Sequence, residues 1–122
     1  MKELRQHPRY PARWSCIIRQ DSLPNRAYHG HTHDISEAGA AILSDHNLSP
    51  GGHCTLLLAP PPTPGRHTPV IEIRCRLAYS VHSDRHRCFR HGIEFVSFQG
   101  AGKVLLAQIL GEHFPGDALR LA

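Results

Sequence analysis

From Val70 to Val81 the chain alternates apolar and polar side chains over twelve residues. Ile71, Ile73, Cys75, Leu77, Tyr79 and Val81 fall on one side, and Glu72, Arg74, Arg76 and Ser80 on the other. A period of two sustained this long describes a pleated strand with one buried and one solvated face, the usual state of an antiparallel sheet. Such a strand needs partners to cover its apolar side, and the rest of the chain supplies them. Trp14–Gln20 sets Trp14, Cys16 and Ile18 against Ser15, Ile17 and Arg19. Further strands are expected at Tyr28–His33, Ala38–Ser44, His53–Ala59 and Cys88–Phe98. Turn signals at Leu23-Pro24-Asn25, at Ser49-Pro50-Gly51-Gly52 and along the proline run Pro60–Pro64 before Gly65 separate several of them. Six short strands punctuated in this way predict an all-β barrel or sandwich.

The two ends read differently. Pro8 and Pro11 disfavour a helix at the start, so residues 1–12 are expected to form an extended, mobile arm. Ala101, Val104, Leu105, Gln108 and Ile109 recur at helical spacing, with Gly111 and Pro115 available to end the segment. The predicted layout is one domain over 1–122: an arm (1–12), a barrel (13–98), a helix (100–112) and a tail (113–122). A length of 122 residues suits one domain with its own core. The stretch Pro60 to Pro69 reads as a hairpin loop.

Composition narrows the function classes. The formal charge of +4, with eleven histidines held neutral, suits an anionic partner without naming one. The basic residues are scattered rather than gathered into a nucleic-acid tail. Cys16, Cys54, Cys75 and Cys88 contain no C-x-x-C pair, so they are expected to be reduced and mostly buried, with a disulfide or a metal as the alternatives. The start, MKELRQHPRY, lacks the apolar stretch of a secretion signal, and no run reaches membrane-spanning length, so the expected location is cytoplasmic.

Two short pieces carry chemistry. Arg5-Gln6-His7-Pro8-Arg9 is an R-x-x-x-R on the proline-broken arm, and Asp34-Ile35-Ser36-Glu37-Ala38-Gly39 is a D-x-S-x-x-G between two predicted strands. Taken with Gly92-Ile93-Glu94-Phe95, a late G-x-x-F, their order and separation resemble the PilZ domain family over roughly residues 3 to 110. The resemblance implies a small six-stranded antiparallel β-barrel with a C-terminal α-helix. It also implies a bacterial receptor for cyclic di-GMP, with Arg5, Arg9, Asp34, Ser36 and Gly39 as the binding residues. The residues suit that ligand on their own chemistry. Guanidinium groups grip phosphate oxygens or the O6 and N7 of guanine, and their flat faces stack on bases. A carboxylate accepts the paired donors of guanine N1–H and its amino group. Ser36 can bond a phosphate or a base edge, and Gly39 lets the backbone approach closely.

Blander readings stand beside these. Arg5 and Arg9 also read as solvated terminal charges, and Asp34–Gly39 as a plain turn, but the two motifs together weigh against both. Arg13 forms a second R-x-x-x-R with Arg9, but Glu3 to Tyr10 resembles the PilZ family's usual approach to its first strand, which implies Arg5 and Arg9 and leaves Arg13 as a strand-start charge or secondary contact. His29, His31 and His33 alternate on one strand about 7 Å apart, too far to converge on zinc without a bulge. No nucleophile elbow or phosphate-binding glycine loop is present, so no enzyme activity, catalytic residue, metal or cofactor is expected. A strand-binding barrel is disfavoured because aromatics such as Phe95 and Tyr79 lie on the face assigned to the core. The expected partners are cyclic di-GMP and an effector protein, with no nucleic acid polymer and no membrane insertion, in a monomer or loose homodimer. The alternative is a PilZ-like protein–protein adaptor that binds no nucleotide.

Overall fold

The alternation along the chain becomes seven strands and one helix in the computed structural model, which describes residues 7–62, 64–65 and 69–115. The strands are β1 (Tyr10–Pro11), β2 (Ser15–Gln20), β3 (Tyr28–Ile35), β4 (Gly39–Ser44), β5 (His53–Ala59), β6 (Ile71–Ser83) and β7 (Cys88–Phe98). The helix α1 runs Gly102–His113. All pairings are antiparallel. The order β2-β5-β6-β7-β4-β3 closes on itself through the β2–β3 pairing, giving a six-stranded barrel, and β1 is an extra strand on β3. Closure removes the open edges that would otherwise invite pairing with another chain.

The barrel interior is filled by one face of each strand. Trp14, Cys16 and Ile18 meet Cys54, Leu56 and Leu58, with Ile71, Ile73, Cys75 and Leu77 from the long strand β6. Leu106 and Leu110 of α1 join this core, and Gly102 at the helix start packs against Ile71 and Phe98. The buried helix face is thus centred one position later than the periodicity predicts, and Val104 is exposed. The run Val-Leu-Leu-Ala-Gln-Ile-Leu is apolar nearly all round, so its period barely marks which side faces inward.

The inward face of β6 also ends sooner than expected. Leu77 pairs with Ile93 but Tyr79 pairs with Gly92, so Ala78 is an extra residue, a β-bulge. A one-residue insertion flips the faces beyond it. Tyr79 and Val81 are therefore exposed, contrary to their expected place in the core, and Ser80 takes the inward direction. There Ser80 Oγ lies 2.9 Å from Nδ1 of His91, whose Nε2 lies 2.7 Å from Ser44 Oγ. His91 is fully buried, and burial lowers its pKa to about 4.

The arm joins the barrel earlier than residue 13. Tyr10 and Pro11 pair with Ile35 and Asp34. Tyr10 is buried and stacks on Phe114 just past α1, with ring centroids 4.7 Å apart. The break between β1 and β2 is stitched by buried Thr32. Its hydroxyl accepts from the Trp14 amide at 2.9 Å and donates to the Ala12 carbonyl. Cys16, Cys54 and Cys75 are buried, Cys88 is half-buried, and all four are free thiols. No described helix is long and apolar enough to cross a membrane.

Candidate functional site

The D-x-S-x-x-G residues are less of a loop than the sequence suggests. Asp34 and Ile35 belong to β3 and Gly39 opens β4, so Ser36–Ala38 alone make the turn. A second bulge decides where Asp34 points. Thr32 pairs with Ile42 and Asp34 with Ala41, leaving His33 as the extra residue. Thr32 and Ile35 both face inward, and His33 and Asp34 are left on the outer wall.

Asp34 then faces two guanidinium groups and an imidazole. Arg9 Nη1 lies 3.6 Å from its Oδ1, and Arg90 Nη2 lies 3.6 Å from its Oδ2. His33 Nδ1 lies 3.3 Å from Oδ2. The Asp34 side chain is 17% exposed. Its Oδ1 is buried and has no hydrogen-bond partner among the described residues, the 3.6 Å contact to Arg9 being too long for one.

Ser36 and Gly39 build the turn beside it. The Ala38 and Gly39 amides donate to Ser36 Oγ at 3.0 and 3.2 Å, and the Ser36 amide donates to the Gly39 carbonyl at 2.8 Å. The Ser36 side chain is thus engaged in holding the hairpin shape. Gly39 is required by space: a Cβ there would stand 2.4 Å from the Ile93 carbonyl oxygen of β7. A cavity of about 320 Å³ opens over this turn, with Arg9, His7, Ser36, Gly39, Ile93 and Glu94 in its lining. Glu94 is engaged by Arg76 at 2.8 Å. A larger hollow of about 560 Å³ shares His7 and Ala38 with it.

Of the residues expected to bind, the structure brings together Arg9, Asp34, Ser36 and Gly39. Arg5 lies outside the described residues. Sequence reasoning missed Arg90 and Tyr79. The Arg90 guanidinium lies 3.4 Å from the Tyr79 hydroxyl, to which its Nε donates. The Tyr79 ring lies on Gly92, where a Cβ would stand 2.0 Å from Cε2. A glycine inside a strand marks a close approach, so Gly92 was the available signal, but the aromatic that fills its space is set by the β6 bulge.

The model of the PilZ domain family matches residues 3–112. This chain belongs to the PilZ family. No curated protein matches it. The PilZ barrel is shared with solved structures at low sequence identity. The inhibitor of motility of Bacillus subtilis (MotI/DgrA) superposes with a TM-score of 0.74 at 18% identity, over 93% of this chain and 53% of that one. The PilZ domain of YcgR from Escherichia coli with c-di-GMP gives 0.65 at 15% identity, over 95% of both chains. MrkH of K. pneumonia in complex with c-di-GMP gives 0.64 at 17% identity, over 99% of this chain and 57% of that one. The chain therefore spans about half the length of the motility inhibitor and of MrkH, and nearly all of the YcgR PilZ domain.

Proposed function

We propose that this PilZ domain is a cyclic di-GMP receptor that passes the binding event to a partner protein and performs no catalysis. The observation that carries the reading is Asp34: a buried carboxylate oxygen with no hydrogen-bond partner among the described residues, set between two guanidinium groups, one of which, Arg9, also lines the cavity over the turn. Leaving such a group unmatched costs about 1–3 kcal/mol, and the edge of a guanine offers donors that match it. Arg9 and Arg90 supply positive charge for the phosphates, and Arg5 is carried over from the family pattern as a further contact. Tyr79, 39% exposed, offers a flat face on which a base can stack. Ser36 and Gly39 contribute by shaping the hairpin. The PilZ structures that hold c-di-GMP support the choice of ligand.

Binding fixes the arm, whose Arg9 already lies 3.6 Å from Asp34, more firmly against the Asp34–Gly39 hairpin, with buried Tyr10 as its anchored end. The surface offered to the effector changes accordingly, driven by contacts present only in the bound state. The site of action is the bacterial cytoplasm. Competition between cyclic di-GMP and cyclic di-AMP tests the role of Asp34. Wild type should prefer the guanine ligand, and Asp34→Ala should lose about tenfold in affinity for it, the loss of one charge-assisted hydrogen bond. Equal affinity for the two ligands in wild type contradicts guanine recognition by Asp34. Hydrogen exchange of the His7, Arg9, Tyr10 and Ala12 amides, with and without the messenger, tests the closure, and unchanged protection contradicts it.

A further inference from the structure

The alternating histidines of β3 are largely unused by the messenger site. His31 and His33 instead line a second cleft, of about 370 Å³, together with Arg13 from the segment between β1 and β2 and His86 from the β6–β7 turn. Among the described residues no carboxylate lines this hollow. The His33 and His86 rings meet edge to face, 5.3 Å between centroids. Among the described residues there is no group of three or more His, Cys, Asp or Glu side chains placed to hold a metal ion, so convergence on a cation does not account for the cluster.

We propose that this cleft is a second anion site, taking a phosphate group between the Arg13 guanidinium and the imidazoles of His31 and His86. Arginine grips phosphate oxygens bidentately, and a protonated imidazole donates from both nitrogens. A hollow of this volume is within the range of small-ligand sites. The proposal stands apart from the messenger site and does not depend on it.

The charges around the cleft support it. Burial disfavours the charged form of His31, and the positive charges of Arg13, His33 and His86 lower its pKa further. The opposing carboxylates are Asp45, which acts on His31, and Asp34, which meets His33. Arg90 also reaches His33, its Nη1 lying 3.4 Å from the Nδ1. Asp34 also faces Arg9 and Arg90, so its one negative charge is divided between them and the cleft. An anion seated there reverses the local repulsion on His31 and favours its protonated form. Binding must therefore be tighter at pH 6 than at pH 8.

The test follows the imidazole NMR signals of the full chain during titration with inorganic pyrophosphate at both pH values. A parallel titration with AMP separates a free phosphate anion from a nucleotide as the source, since a nucleotide ligand would bind several-fold tighter than pyrophosphate. Saturable shifts at His31 and His86 are expected, about tenfold tighter at pH 6. They should disappear in Arg13→Gln and in His31→Gln with the amide spectrum otherwise intact, and persist in Arg9→Ala. No response at these rings in a folded sample, or an undiminished response in Arg13→Gln, overturns the proposal.

Discussion

At the residue scale, two glycines separate fold from ligand. Gly39 and Gly92 both sit where a Cβ would collide, but with different neighbours. At Gly39 the obstacle is the Ile93 carbonyl, part of the β7 backbone, so Gly39→Ala must push β4 away from β7. It should cost about 1–3 kcal/mol of stability and disturb the cavity, as read by urea denaturation and ligand titration. At Gly92 the obstacle is the Tyr79 ring, which can swing aside. Gly92→Ala should therefore weaken cyclic di-GMP by up to about tenfold, the worth of a lost stacking contact, while losing less stability than Gly39→Ala. A larger stability loss in Gly92→Ala than in Gly39→Ala would show that these neighbours are misassigned. Asp34 and Ser36 divide the work of their motif in a similar way, one offering an open acceptor and the other fixing the turn.

At the element scale, what was legible in the sequence was periodicity, and what was hidden was its interruption. The strands announce themselves because side chains on a pleated ribbon alternate, and Ile71 to Leu77 obey that rule to the last methyl group. Bulges at His33 and Ala78 insert one residue each, and nothing in the local composition marks them. They nevertheless turn Asp34 outward and take Tyr79 out of the core. Arg90 escaped for a related reason: its nearness to Asp34 follows from β7 pairing with β4 and β4 with β3, a register that no single segment encodes. Arg9 and the D-x-S-x-x-G residues were legible because their order along the chain is a family pattern, although the reach from arm to hairpin is tertiary. The arm's anchorage is likewise a long-range fact, made by Tyr10 against Phe114, more than a hundred residues later. Tyr10→Ala should cost about 3 kcal/mol, the scale of deleting a buried ring. It should also raise amide exchange at both Pro11-flanking residues and the end of α1. Faster exchange at one end with the other unchanged would contradict the coupling.

At the scale of the whole molecule, the barrel's stability should carry the signature of one buried histidine. His91 is held neutral between Ser44 and Ser80, with its pKa lowered from 6.5 to about 4 by burial. The unfolded chain takes up a proton at higher pH than the folded one, so this contribution is complete above about pH 6.5 and is lost as pH falls toward 4. The loss amounts to about 3 kcal/mol. Urea unfolding at pH 7 and pH 4.5 should show a steeper decline in wild type than in His91→Gln, because surface carboxylates titrate alike in both. Parallel declines would place the imidazole in a more polar setting than the structure gives it. The proposed messenger site lies on the outer wall of this barrel, so Arg9 and Asp34 variants should change ligand affinity with little change in core stability. Titration calorimetry with cyclic di-GMP at low and physiological salt, on wild type and on Arg5→Ala/Arg9→Ala, tests the receptor reading most directly. Saturable binding that weakens as salt screens the phosphates, and that is abolished in the double variant, is the expected result. A well-folded wild type that gives no binding heat at either salt, or a double variant that binds as tightly, contradicts it.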